Sequence, residues 1–275
     1  MSSVFSLLHD DLQKALTARH WQPTPIQNAA IPEIIKGNSR LLIAPTGSGK
    51  TLSAILPILH RCISEGWQPL SVLYITPLRA LNRDVDRRLQ EIADSVGLRV
   101  GLRHGDTTQS ERSKQVRRPP HILVTTPETF QLMFTGKNLR KLLTTVKAVI
   151  VDEVHDLAAS ERGWQLSVGL ARMEALSGQK VQRIGLSATV GNPQQVAEWL
   201  AEDGEAIIET GKRVTEIVVE TEFPTTEDET GGIEYAIPSR AHAIFRQVIS
   251  IIENDAPCLL SVSYTHLTLP TRGLG

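Results

Sequence analysis

The chain has 275 residues, of which 41% are hydrophobic, so it can bury one complete α/β core and the beginning of a second. Its 29 basic residues nearly balance its 30 acidic residues, which argues against a protein that coats nucleic acid or membranes through bulk charge. Only Cys62 and Cys258 are present, far apart and without metal-ligand spacing, so neither a disulfide framework nor a zinc site is indicated.

The N-terminal residues lack a basic segment followed by an apolar run, and no stretch of about 18 apolar residues occurs in the sequence. We therefore predict a soluble, unexported, cytoplasmic protein with no membrane partner. Apolar residues at helical spacing predict a first helix around Leu8, Leu12 and Leu16. A second helix is predicted around Ile26 and ends at Gly37.

Short apolar runs then alternate with amphipathic segments. The predicted buried strands are residues 41–43, 72–75, 122–124, 149–151 and 184–186. The segments predicted as helices between them are residues 51–61, 78–93 and 165–176. Because strands that are buried on both faces and alternate with helices build parallel sheets, we expect a mostly parallel, doubly wound α/β fold. Ligands of such sheets bind beyond the carboxyl ends of the strands.

The pattern changes near Glu220. Residues 221–232 are acidic, rich in Thr and Gly and without periodicity, which predicts an exposed connection with a polar run at 227–229. Ser239 is predicted to cap a helix, followed by a strand at 258–260; the apolar face of that helix comprises Ile244, Phe245, Val248, Ile251 and Ile252. The predicted organisation is one complete domain at 1–210, a linker at 211–238, the truncated start of a second domain at 239–262 and a non-native tail at 263–275.

A glycine-bearing turn follows the first predicted strand, in the segment Ala44-Pro45-Thr46-Gly47-Ser48-Gly49-Lys50-Thr51. A strand, a tight turn and a helix start bring several backbone N–H groups and a helix N-terminus around one point, which is an anion site. The predicted ATP-binding residues here are Thr46, Gly47, Ser48, Gly49, Lys50 and Thr51. Lys50 would reach the β- and γ-phosphates and the Thr51 hydroxyl would ligate Mg²⁺. The alternative is a chance Gly/Ser turn before a helix.

Two carboxylates follow the apolar strand at 149–151. Asp152 is predicted to hold Mg²⁺ through its waters, and Glu153 to orient and deprotonate an attacking water. With Lys50 they form the predicted catalytic set. Two acidic residues after a strand more often belong to a solvated loop. Here they follow a phosphate-binding loop in the sequence and stand at the end of another strand, which favours the catalytic role instead. His155 is predicted to couple the ATP state to nucleic acid, with an ordinary loop histidine as the alternative.

Six motifs stand in the order typical of superfamily 2 helicases. They are Pro23-Thr24-Pro25-Ile26-Gln27, the phosphate-binding loop, Thr76-Pro77-Leu78-Arg79-Ala80-Leu81, Thr125-Thr126-Pro127-Glu128, Asp152-Glu153-Val154-His155 and Ser187-Ala188-Thr189. The series therefore resembles the RecA-like P-loop domain of these helicases, followed by the start of a second RecA-like domain. Further details are most similar to the large helicase-related (Lhr) family, namely Pro77-Leu78-Arg79-Ala80-Leu81-Asn82, His104-Gly105-Asp106-Thr107 and Arg162-Gly163.

The resemblance implies further roles. Gln27 would read the adenine edge, and Phe5 or Trp21 would support the base, with core packing as the alternative for Trp21. Contacts with the backbone of single-stranded DNA or RNA would come from Thr76, Pro77, Arg79, Thr125 and Thr126. For Arg79 the alternative is a solvated cation at a helix start. Ser187 and Thr189 would link the Asp152-Glu153 box to domain movement.

The function implied by the resemblance is that of an ATP-dependent helicase or translocase that uses ATP and Mg²⁺. Its cycle would need a C-terminal RecA-like domain, and the resemblance also implies accessory domains in the parent chain. No Gln-x-x-Gly-Arg-x-x-Arg-like segment with an arginine finger is present, so the chain alone should bind nucleotide weakly and barely hydrolyse it.

Three alternatives remain open. A DEAD-box-like or superkiller-type RNA helicase is one, because neither Asp152-Glu153-Val154-His155 nor Gln27 distinguishes a DNA helicase from an RNA helicase. A small-molecule P-loop kinase and an ATP-binding scaffold are the others.

Overall fold

The computed structural model of the chain describes residues 3–77, 89–209 and 223–254. The chain divides into two compact units, Met1–Lys212 and Arg213–Gly275. Among the described helices, none combines the length and the apolar composition that a bilayer-spanning segment needs.

The described part of the first unit is built on a parallel sheet of seven strands. The strands are β1 Arg40–Ile43, β2 Val72–Ile75, β3 Val100–Arg103, β4 Ile122–Thr125, β5 Ala148–Val151, β6 Gln182–Ser187 and β7 Glu205–Ile208. Their order across the sheet is β3-β4-β2-β5-β6-β1-β7, and every pair is parallel. The predicted parallel α/β fold is confirmed.

Helices cover both faces of this sheet. They are α1 Asp10–Ala18, α2 Pro25–Ile35, α3 Lys50–Ser64, α4 Gln109–Arg117, α5 Pro127–Met133, α6 Lys137–Leu142, α7 Val154–Ala158, α8 Glu161–Ser177 and α9 Pro193–Leu200. Side chains alternate along each strand, so Leu42 and Tyr74 belong to the core beneath α1 to α3. Their neighbours Leu41 and Leu73 belong to a second core that includes residues of α5 and α8.

All five strands predicted for the first domain are present, whereas the two strands at the sheet edges were not predicted. β3 includes Gly101 and Arg103, and β7 begins with Glu205, so neither shows the continuous apolar run of a strand buried on both faces. Of the helix predicted at 78–93, residues 78–88 lie outside the described part, and residues 89–94 are helical.

In the second unit, α10 Thr226–Glu234 and α11 Ser239–Asn254 are described. The segment predicted as an exposed connection over 221–232 is mostly exposed where it is described, but it contains a helix, α10, that was not predicted, and the residues at 227–229 are not simply a polar linker. Asp228 is fully buried and accepts hydrogen bonds from Thr225, from Arg246 and, at 2.9 Å, from His242 Nδ1. Two of these partners lie 14 and 18 residues away, beyond the reach of a local pattern.

The helix predicted to begin at Ser239 is confirmed, but its predicted apolar face is not fully buried. Ile244 and Phe245 are each about half exposed in the described structure. The strand predicted at 258–260 and the tail at 263–275 lie outside the described residues.

Candidate nucleotide and nucleic-acid site

The phosphate-binding loop connects β1 to α3 at the carboxyl edge of the sheet. Gly47 and Gly49 have φ angles of +81° and +92°, in the left-handed region that side chains with a Cβ avoid. α3 begins at Lys50, so the unpaired N–H groups of its first turn open onto the loop. The predicted anion site is therefore assembled by the backbone itself.

The Lys50 ammonium lies within this loop. Its Nζ donates to the carbonyl oxygens of Ala44 and Pro45, the latter at 3.0 Å. Burial lowers the pKa of Lys50, while the charges of Glu153 and Asp152 act in the opposite direction. The Ser48 hydroxyl is shielded from solvent and has no hydrogen-bond partner among the described residues. An unsatisfied hydroxyl beside a partly desolvated cation fits the phosphates of a nucleotide.

The two predicted carboxylates follow β5. Asp152 accepts hydrogen bonds from the backbone N–H of Glu153 at 2.9 Å and from the Tyr74 hydroxyl at 2.5 Å. Burial raises the pKa of Asp152, and the hydrogen bond from Tyr74 lowers it. Burial and the neighbouring Asp152 raise the pKa of Glu153, which favours its taking up a proton. A carboxylate and the Thr51 hydroxyl are oxygen ligands of the kind that Mg²⁺ prefers.

The backbone of Glu153 is in the left-handed region, at φ +47° and ψ +49°. Residues other than glycine rarely adopt this backbone conformation, and such backbone strain is concentrated at functional sites. Here it forms the turn between β5 and α7, so that the two acids stand at the strand end rather than inside the helix.

Tyr74 was not predicted to take part in this site. It is fully buried on β2 and donates to Asp152. It therefore holds one of the two predicted magnesium ligands in place. The sequence signal was available, because a tyrosine in a strand buried on both faces must find a partner for its hydroxyl.

Removal of that hydroxyl should weaken magnesium-dependent nucleotide binding. In Tyr74→Phe, Asp152 loses a charge-assisted hydrogen bond that lowers its pKa, so a larger fraction should be protonated and unable to hold the metal. We expect the Mg²⁺ concentration needed for half-maximal binding of a fluorescent ATP analogue to rise about 3- to 10-fold, with the larger effect at lower pH. Equal Mg²⁺ dependence of the variant and the unaltered chain across pH 6 to 8 would contradict this role.

The three predicted coupling residues are brought together. The Ser187 hydroxyl donates to the carbonyl oxygen of Thr189 at 3.0 Å. Its oxygen is also 3.0 Å from His155 Nδ1, which then acts as the donor in that pair. His155 Nδ1 lies 3.4 Å from a carboxylate oxygen of Glu153. A continuous chain of polar contacts thus runs from the predicted base to the loop after β6.

Gln27 is buried, and both polar atoms of its side-chain amide make hydrogen bonds within the chain. Its Oε1 accepts from the backbone N–H of Thr24 at 3.0 Å, and its Nε2 donates to the carbonyl of Gly49 at 3.4 Å. The amide thus contacts the phosphate-binding loop. Phe5 is buried in the core, whereas Trp21 is 38% exposed, so core packing does not account for Trp21.

The predicted strand-binding loops follow β2 and β4, which are neighbours in the sheet. The backbone N–H of Thr76 donates to the carbonyl of Thr125 at 3.0 Å, so the two loops are joined. The hydroxyls of Thr76 and Thr125 are buried and have no hydrogen-bond partner among the described residues. The Thr126 hydroxyl caps α5 by accepting from the N–H of Thr129. Arg79 lies outside the described residues.

Arg162 connects these two loops from α8. Its Nη2 donates to the carbonyl of Pro77 at 3.0 Å, and its Nε pairs with Glu128 at 2.6 Å. In the sequence, Arg162 was noted only as part of the family resemblance. Its contacts with the two loops were not predicted, because its partners lie 85 and 34 residues away.

Comparison with known proteins agrees with this geometry. The family model described as DEAD/DEAH box helicase matches residues 24–196. The chain is 44% identical over 225 residues to the Lhr helicase/uracil glycosylase of Escherichia coli, covering 72% of this chain and 14% of that protein. It is 34% identical over 280 residues to ATP-dependent helicase Lhr-Core protein 2 of Thermococcus barophilus, covering 94% of this chain and 32% of that protein.

The fold is similar to a solved structure of Mycobacterium smegmatis helicase Lhr bound to ssDNA and AMP-PNP. The TM-score is 0.68 at 39% sequence identity, covering 76% of this chain and 28% of that chain. The fold is thus that of a RecA-like helicase domain. The chain spans less than a third of the length of these relatives.

Proposed function

This chain belongs to the DEAD/DEAH box helicase family, and from that premise we propose that it is the ATP-binding domain of an Lhr-type ATP-dependent helicase. The observation that carries the proposal is the convergence of two sites at one edge of the sheet. The phosphate-binding loop and the Asp152-Glu153 pair follow β1 and β5, and the loops proposed to bind a single strand follow β2 and β4.

In this proposal the chain supplies one wall of the ATP site. Backbone N–H groups of the loop and the Lys50 ammonium bind the phosphates, and Thr51 and Asp152 hold Mg²⁺. When bound, Mg²⁺ neutralises charge on the β- and γ-phosphates. Glu153 orients the attacking water and accepts its proton, which its raised pKa favours. The polar contacts through His155 and Ser187 then report the state of Glu153 to the loop after β6.

We propose that Thr76, Pro77, Thr125 and Thr126 make the strand contacts, and we propose the same role for Arg79, which lies outside the described residues. The position of these residues at the neighbouring carboxyl ends of β2 and β4 supports this assignment, because ligands of parallel sheets bind beyond the carboxyl ends of the strands. The proposed partner is single-stranded DNA or RNA. Competition between DNA and RNA oligonucleotides of the same sequence for the chain distinguishes the DNA from the RNA alternative.

The segments keep their proposed roles along the chain: residues 1–210 as the ATP-binding domain, 211–238 as the connection that includes α10, 239–262 as the beginning of a second RecA-like domain and 263–275 as a non-native tail. The split of the chain between Lys212 and Arg213 supports the first boundary. We also propose a cytoplasmic location, which suits two cysteines without disulfide spacing.

Replacement of Lys50 tests the nucleotide site directly. Lys50→Ala removes the cation that faces the phosphates, and we expect binding of a fluorescent ATP analogue with Mg²⁺ to weaken at least about 10-fold, the equivalent of one charge-assisted hydrogen bond. Lys14→Ala is the matched control, because Lys14 is exposed on α1 and pairs only with Asp11 in the described structure. Unchanged affinity in Lys50→Ala would overturn the proposed ATP site.

The kinase alternative is tested by oligonucleotide binding. If the chain is a helicase domain, a fluorescent oligonucleotide should bind and Arg79→Ala should weaken that binding. Failure of any oligonucleotide to bind, with the ATP analogue still bound, would favour a small-molecule kinase.

A further inference from the structure

A cavity of about 300 Å³ opens at the carboxyl end of the edge strand β3, outside the residues assigned so far. Among the described residues, three cations and no acidic residue line it. Its polar lining comprises Arg103, Gln109, Arg112, Ser113, Lys137 and Asn138. A concave surface that gathers only positive charge favours an anionic ligand.

Arg103 provides the strongest evidence. Its side chain is nearly buried, with 7% exposed, and its Nη1 donates to Gln115 Oε1 at 3.1 Å. Gln115 is held in that orientation because its Nε2 donates to the carbonyl of Leu102 at 2.8 Å. Within the described structure Arg103 pairs with no carboxylate. A buried guanidinium is ordinarily paired with an acid, and no described carboxylate supplies that counter-charge to Arg103.

Arg112 adds a second cation without an acidic partner in the described structure. Its Nε donates to the carbonyl of Thr107 at 2.9 Å, and its Nη2 donates to those of His104 and Gly105 at 3.1 and 2.9 Å. Carbonyl oxygens fix the guanidinium but leave its charge uncompensated. Burial lowers the pKa of Arg103, and the charge of Arg112 lowers it further because like charges repel.

Lys137 completes the cavity from α6. It is exposed, and the described residues give it neither a hydrogen bond nor an ion pair. The three cations therefore come from a strand, α4 and α6, which are separate elements of the fold.

The position of the cavity relates it to the proposed strand-binding loops. β3 and β4 are paired in parallel, with Arg103 aligned with Thr125. Neighbouring strands lie about 5 Å apart, so the backbone of Arg103 is adjacent to the loop that begins at Thr125. Successive phosphates of an extended strand are spaced by several ångströms, and a strand that leaves this loop towards the sheet edge would meet the cavity.

We propose that this cavity binds a backbone phosphate of the nucleic-acid strand, beyond the contacts at Thr125 and Thr126. The proposal rests on the proposed helicase function and extends its strand-binding surface by one phosphate. Arg103 and Arg112 would meet the phosphate oxygens with their guanidinium groups, and Lys137 would add a point charge from the open side. Such a contact carries no sequence preference.

The test measures binding of a fluorescent oligothymidylate of 20 nucleotides to the 275-residue chain by anisotropy at several salt concentrations. Lys137→Glu is the principal variant, because an exposed residue without partners can be changed without loss of the fold. Lys180→Glu is its matched control. Lys180 is also exposed, and because it precedes β6 it lies at the amino-terminal ends of the strands, whereas the cavity lies at their carboxyl ends. Arg103→Gln is the second variant, with its fold checked by thermal unfolding.

We expect Lys137→Glu and Arg103→Gln each to weaken binding about 10-fold at 50 mM salt, and to reduce the slope of log K against log salt by about 0.7, the value for one phosphate of a single strand. Lys180→Glu should match the unaltered chain. If the unaltered chain binds the oligonucleotide and both cavity variants behave like Lys180→Glu, the inference is overturned and the proposed function stands. If the unaltered chain binds no oligonucleotide, the proposed function itself fails.

A further arm separates the strand from free phosphate. Inorganic phosphate is titrated against each protein while thermal unfolding is followed. If phosphate stabilises the unaltered chain but not Lys137→Glu, and oligonucleotide affinity is equal in the two, the cavity is a site for a free anion and the inference is overturned.

Discussion

Extension of this chain with a second RecA-like domain is expected to raise its nucleic-acid-stimulated ATP turnover by about 10³- to 10⁵-fold. In the proposed function, Lys50 would bind phosphate, Asp152 would hold magnesium and Glu153 would act as the base. These three residues would face the nucleotide from one side only. The charge that develops on the transferred phosphoryl group calls for an arginine finger from the other side, and the sequence contains no segment of the expected type.

The measurement compares ATP turnover of the 275-residue chain with that of a longer chain that includes the second domain, each with and without saturating single-stranded oligonucleotide. Glu153→Gln in the longer chain is the control, because it removes the base while an amide of the same shape keeps nucleotide binding intact. Its turnover should fall to near that of the short chain. Stimulated turnover on the order of 1 s⁻¹ by the short chain would refute the prediction that half of the active site is missing.

The central part of the fold was predictable because its strands are buried on both faces. β2 and β5 read as uninterrupted apolar runs, and each ends where a motif begins. The edge strands escaped prediction because an edge position relaxes this requirement, which allows Arg103 in β3 and Glu205 in β7. α10 escaped because Asp228 is buried through partners in another helix, whereas its local sequence resembles a polar linker.

The candidate site shows the same division. Motif spacing predicted the backbone-built part of the site, since a glycine-bearing turn that opens a helix directs backbone N–H groups towards one point. Local sequence motifs could not predict contacts between segments that are distant in the chain. Tyr74 meets Asp152 across 78 residues, and Arg162 meets Pro77 across 85. Their roles depend on which strands and helices become neighbours, and that is decided by the packing of the whole sheet.

Gly163→Ala is expected to destabilise the chain by about 3 kcal/mol, at the upper end of the usual cost of overpacking. Gly163 is buried in the first turn of α8, where alanine would ordinarily stabilise a helix by about 1 kcal/mol. Here a Cβ atom would lie at an impossibly short distance from the carbonyl oxygen of Leu157 and 2.7 Å from its carbonyl carbon. Those atoms belong to the backbone, so they cannot move aside by a change of rotamer. Steric repulsion therefore outweighs helix propensity.

Urea unfolding followed by circular dichroism measures this effect, with Gly191→Ala as the matched control. No atom lies within 4 Å of a Cβ at Gly191, and its φ is not positive, so alanine there should leave the free energy of unfolding unchanged or raise it by up to about 1 kcal/mol. A loss below about 0.5 kcal/mol in Gly163→Ala would show that α7 yields easily.

The same substitution tests the proposed ATP site, because α7 begins at the residue after Glu153 and carries both His155 and Leu157. Displacement of Leu157 by the added methyl group should shift Glu153 as well. Gly163→Ala in the longer chain should therefore lower ATP turnover even at temperatures where the protein remains folded, while Gly191→Ala should not. If turnover per folded molecule is equal in the two variants, the close contact between α7 and α8 serves stability alone.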